Sequence, residues 1–244
     1  MYTATLRPRP AKDPTVFYDD LAITLTARRD ALIGSSNTIN GRQPLAWAEL
    51  IEWLRFQCWY RREEADIIDS WLDHVPRPDI VTALRRQLAQ AGRHHRRLLA
   101  HLDTLGTSMA DWSPEPEWMN WASEFHASGS DTPERIIAHN LAGAPGAMEV
   151  PGGLMPRLSE DTHAVLEQLR PDSGLHATLG RMMVNRYATT LETQARTHAR
   201  VMRAFELEQK GRLALDRRIR AIGQQSAAND AIDDSLVAGG GDVS

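Results

Sequence analysis

His94 and His95 stand side by side in the stretch LRRQLAQAGRHHRRLLAHLDTLG, residues 84 to 106. Imidazoles on a helix can ligate a transition metal or move protons near neutral pH. Helices that carry a metal inside a bundle usually place a glutamate three residues before such a histidine. Here that position is Ala91, and the only acid in the stretch is Asp103. One Glu-x-x-His pair does occur, Glu160 and His163 in SEDTHAV, and it is a rival pair of ligands. The plainer reading of Glu160 is a favourable charge at a helix start. The single thiol, Cys58, lies next to Trp59 in an apolar run, which fits packing better than nucleophilic chemistry. The glycines of AGGGD precede no helix, so they form no phosphate loop.

These groups need elements to hold them. From Pro44 the run LAWAELIEWLRFQCWYRREEADIIDSWLDHV sets Trp47, Leu50, Leu54, Ile67, Ile68, Trp71 and Leu72 at three- and four-residue steps, a long amphipathic helix. A second helix spans about Asp79 to Leu105 and stops at Gly106. Its inner stripe is Ile80, Leu84, Leu88, Ala91, His94 or His95, Leu98 and Leu102, with Arg86, Arg93 and Arg97 opposite. Residues 107 to 131 read as a connection whose Trp112, Trp118 and Trp121 cover a pocket or a partner surface. Trp47, Trp53, Trp59 and Trp71 read as core. A third helix begins at TPERIIAHNLAGA, a short one follows in SEDTHAVLEQLR, and one very long helix is expected from about Leu175 to Ile222.

No alternating β-branched run appears, so the expected fold is an all-α bundle. Its parts are an N-terminal extension with a short helix (1–43), the bundle (44–222) and a small, polar, disordered tail (223–244). The net charge of −4 disfavours nucleic acid, although Arg85, Arg86, Arg93, Arg96 and Arg97 make a local basic face. One cysteine excludes both a disulfide framework and a thiolate zinc cluster. No apolar run of signal or membrane-spanning length is present, so a cytoplasmic protein without membrane contact is expected.

With the helices placed, QAGRHHRRLLAHLDTLG resembles the second helix of ferritin-like carboxylate proteins, and AVLEQLRPDSGLHATLG, residues 164 to 180, resembles their fourth. The chain is most similar to bacterial ferritin-like proteins related to the tRNA hydroxylase of isopentenylated adenosine. The likeness covers roughly residues 45 to 210 in pattern, with only those two segments specific. It implies an antiparallel four-helix bundle with an extended last helix, each of the four helices aiming ligands at one centre. Transferred by position, the first-helix glutamate is Glu63 or Glu64 and the two histidines are His94 and His176. The remaining carboxylate positions fall on Ala91, near Ala142, and on Ser173, so a standard di-iron site is not expected.

His139, one turn before Ala142, is the further candidate. His94, His139, His176 and Glu63 or Glu64 would then form a nitrogen-rich site for one iron, copper or zinc ion; the alternative is a metal-free core of hydrogen-bonded histidines. Three functions follow from the resemblance. The first is an oxygenase-lineage enzyme acting on a small organic substrate in the emptied centre, with His94, His176 and Glu63 or Glu64 as acid–base groups or ligands. The second is a metal-free ligand-binding or partner subunit that assembles, with itself or with an enzyme, through the last helix. RNA binding is the remote third.

Overall fold

The computed structural model describes residues 10–33, 47–126, 129–143, 159–169 and 173–238. Among them are eight α-helices and no strand: α1 (Pro14–Ile33), α2 (Trp47–Leu72), α3 (Pro78–Thr104), α4 (Pro116–Phe125), α5 (Thr132–Ala138), α6 (Glu160–Gln168), α7 (Ser173–Tyr187) and α8 (Leu191–Ala238). The chain is all-α. A single π-helical turn, His139–Gly143, continues α5.

α2 and α3 form an antiparallel hairpin, in which the Arg55 side chain reaches Thr107 and His95 reaches the Cys58 carbonyl. Pro78 opens α3 at its first position, and Arg77 before it is extended, as a residue preceding proline must be. At the other end Gly106 takes φ +70. Thr107 N–H then reaches the Leu102 carbonyl and Gly106 N–H the Asp103 carbonyl, which caps two orphan carbonyls.

Residues 107 to 131 are not simply a connection. Pro116 starts α4, and Trp118, Trp121, Ala122 and Phe125, spaced three, one and three residues apart, are all buried. Trp118 and Trp121 therefore belong to the core rather than to a covering loop, packing against Phe56, Tyr60 and each other. Trp47, by contrast, is 59% exposed; the stripe of α2 that faces inward holds Trp53, Trp59 and Trp71.

α4 lies along α8 because Gly211 leaves room for it. A Cβ there would stand 2.7 Å from the Trp118 ring, which is fully buried and has nowhere to retreat. Gly211→Ala is expected to destabilise the fold by roughly 1–3 kcal/mol despite alanine's better helix propensity. An unchanged urea midpoint would show that Trp118 can move.

The long last helix is two helices. The chain leaves helix at Ala188 and re-enters at Leu191. Thr190 caps the restart: its hydroxyl accepts from Thr193 N–H (3.2 Å) while the Thr193 hydroxyl accepts from Thr190 N–H (3.0 Å). No proline or glycine marks this break. α8 then continues to Ala238, through most of the segment whose composition suggests disorder.

α1 is part of the same core. Phe17, Tyr18, Leu21 and Leu25 are buried, and Arg181 lies over the Tyr18 ring at 4.4 Å. No described helix is long and apolar enough to cross a membrane.

Candidate metal centre

Three buried side chains from three elements converge: Glu64 from α2, His139 from the π turn and His176 from α7. One donor atom of each lies within 4.8 Å of the others. Tetrahedral ligands at about 2.1 Å from a metal stand about 3.4 Å apart, so side-chain shifts of about an ångström would close the set. Glu64 Oε1 stands 3.9 Å from His176 Nε2. The His139 and His176 rings are 6.3 Å apart, centre to centre.

Glu64 is on the inward stripe of α2, with Tyr60, Arg61, Ile67, Ile68 and Trp71. Glu63 falls about 100° round the helix and pairs with His126 at 2.9 Å on the outside, so Glu64 is the carboxylate of the centre and Glu63 is not. Glu64 Oε2 is taken by Arg61 Nη1, one turn earlier, in a pair buried on both sides. Burial pushes the Glu64 carboxyl up, but the Arg61 guanidinium, and then His176 and His139, hold it below the usual carboxylate range. It is ionised at neutral pH, with Oε1 turned towards the imidazoles.

His139 is fully buried, and neither ring nitrogen has a hydrogen-bond partner among the described residues. Its walls are aromatic: Phe125 at 5.2 Å, Trp71 at 5.3 Å and Trp121 at 6.0 Å between ring centres. Burial pushes its pKa down to about 4, against the pull of Glu64. The ring is neutral, the state a metal ligand requires. A neutral imidazole carries one donor and one acceptor, and leaving each unmade costs roughly 1–3 kcal/mol.

His176 is oriented by a clamp. Asn140 Nδ2 donates to the Ile136 carbonyl at 2.9 Å, which fixes Oδ1 on the opposite side. That oxygen accepts from Gln87 Nε2 at 2.7 Å and lies 3.1 Å from His176 Nδ1. Gln87 Nε2 also stands 3.0 Å from the same Nδ1. His176 Nδ1 thus faces one acceptor, Asn140 Oδ1, and one donor, Gln87 Nε2; the tautomer that donates to Asn140 turns the Nε2 lone pair towards Glu64.

His94 is buried beside this group on α3, and its Nδ1 has no partner, but it stands outside the three-residue cluster. Burial, then Arg61, pushes its pKa down to about 4, with Glu64 opposing. Gln87, Ala91 and His94 share the buried face of α3. His95 points instead at α2, where its Nδ1 lies 3.0 Å from the Cys58 carbonyl and 3.5 Å from the sulfur. Burial raises the Cys58 thiol to about 11, so it is no nucleophile at neutral pH. Glu160 and His163 sit at the start of α6, Glu160 exposed and Ser159 capping through Thr162 N–H; they are not in the cluster. The five arginines of α3 are exposed. Ala142 is buried, and the side chain of Ser173 lies outside the described residues.

Two surface clefts of about 310 and 300 Å³ open where α4, α5 and α8 meet, lined by Glu124, Arg203 and their neighbours. Neither is lined by a residue of the centre. Arg61, Gln87 and Asn140 are the members that the sequence reading missed. Their signal was position: Arg61 is one turn before Glu64, and Gln87 one turn before Ala91.

Compared with family models, curated proteins and solved structures, the chain gives no match.

Proposed function

We propose that the protein binds one transition-metal ion through Glu64, His139 and His176, in a helical bundle of ferritin-like ancestry. Two imidazoles and one carboxylate leave open coordination positions, the donor set of non-haem iron oxygenases. The bound ion would supply oxygen activation for chemistry on a small organic substrate. The observation that carries this reading is His139, whose buried nitrogens have no hydrogen-bond partner among the described residues although donor atoms of Glu64 and His176 lie within 4.8 Å. Supporting it are the Asn140–Gln87 clamp, which fixes the His176 ring with Nε2 towards Glu64, and the Arg61 bond, which engages the other Glu64 oxygen, Oε2. π turns also recur at functional sites.

A second reading has its own observation. Arg61 already neutralises Glu64, so the centre is electrically balanced without a metal, as a ligand-binding or partner subunit would need.

Metal analysis of protein purified without chelator decides between them. About one iron per chain is expected. His139→Ala and His176→Ala should each weaken it at least a hundredfold, since even outer-shell partners of metal ligands are worth 10- to 100-fold. His94→Ala should retain most of it. Metal-free protein that keeps full stability in chelator favours the second reading.

A further inference from the structure

We infer that Arg61 is a binding site for the carboxylate of a small organic acid. The inference deepens the metal reading by naming the substrate class, although the acid site itself stands on Arg61.

A guanidinium offers its donors along edges, and the edge formed by Nε–H and Nη2–H matches the two oxygens of a carboxylate. In Arg61 that edge is intact. Nη1 alone is committed, to Glu64, while Nε and Nη2 are both buried and have no acceptor among the described residues. The residue is 3% exposed, so water does not reach these donors from the surface. The partly buried Arg212 and Arg218 are different: each spends more than one nitrogen on carboxylates or carbonyls. A buried fork left open is costly unless something with two oxygens meets it.

Its neighbours are unsatisfied too. Gln87 Oε1 and His94 Nδ1 are buried without partners among the described residues, and Arg61 is the strongest charge acting on His94. Between Gln87 and His94 on the same face stands Ala91, the smallest side chain of that stripe. A longer side chain at Ala91 would add bulk to the face that carries Gln87 and His94.

The acid would thus dock its carboxylate on Arg61 with its carbon chain next to the position shared by Glu64, His139 and His176. Arg61 is a binding residue in this arrangement, and His94, neutral at physiological pH, is a hydrogen-bonding neighbour.

Titration calorimetry on chelator-treated protein tests this, with propionate as probe and propionamide as its uncharged isostere. Propionate should bind at least tenfold more tightly than the amide. Arg61→Lys keeps the charge opposite Glu64 but loses the fork, and should weaken propionate tenfold or more. Ala91→Val keeps Arg61 and adds bulk to the face of α3 that carries Gln87 and His94, and should do the same, which preserves the test if the lysine variant does not fold. Equal affinity for acid and amide, no binding of the acid, or wild-type affinity in a folded Arg61→Lys protein overturns the inference. Protein that binds propionate but takes up no iron discards the metal reading alone, and protein that takes up iron without binding propionate discards the acid site alone.

Discussion

Glu64→Ala should lower folding stability by about 3–5 kcal/mol, the cost of stripping one partner from a buried ion pair. The loss comes from what remains: Arg61, 3% exposed, would keep its charge with no counter-ion. Replacing both by apolar residues of similar volume, Arg61→Met with Glu64→Leu, should recover most of that stability, because it removes the stranded charge together with the pair's desolvation cost. Urea unfolding of the two single variants and the double variant gives the coupling directly. Additive single losses would mean that the two groups are solvated or separately paired. The double variant should also fail to take up metal, separating what the pair does for the fold from what it does for the centre.

Acid should destabilise the chelated protein earlier than carboxylates alone would. Burial holds His139 and His94 at about 4, whereas an unfolded histidine titrates near 6.5. Between these values the unfolded chain binds protons that the folded one refuses, so stability falls as pH drops from about 6.5 to about 4 and then levels off. Above about 6.5 the contribution is fully present. Each histidine contributes on the order of 3 kcal/mol at most across that window. Glu64, held low by Arg61 despite burial, adds a further loss below the ordinary carboxylate range. His139→Phe should flatten the upper part of the profile. Urea midpoints that stay constant between pH 6.5 and 4 in the wild-type protein would show that the histidines accept protons within the fold.

The inward stripes of α2 and α3 were legible because apolar residues recur every three or four positions in long runs. The same stripe selects Glu64 over Glu63, since Tyr60, Arg61, Glu64, Ile67, Ile68 and Trp71 share one side. Taking the two glutamates as equivalent ignored that constraint. α4 was obscured by composition: its prolines and serines suggest a loop, yet Pro116 at a first helical position and the spacing of Trp118, Trp121 and Phe125 spell a short helix. The break between α7 and α8 carries only a Thr-x-x-Thr cap, which is weak against a continuous helical pattern. Gln87 and Asn140 could not be read as a clamp, because their roles depend on three helices meeting. His139 was nameable as a candidate, but nothing in sequence spacing reveals that its nitrogens go unpaired inside an aromatic box.

The π turn puts neighbours in the chain to different uses at one place: His139 presents its ring to the centre, while Asn140 fixes the ring of His176. Both depend on the same local widening of the helix. Removing a single residue between His139 and Gly143 would restore regular winding and displace ligand and clamp together. The centre therefore has no half-built form along that route.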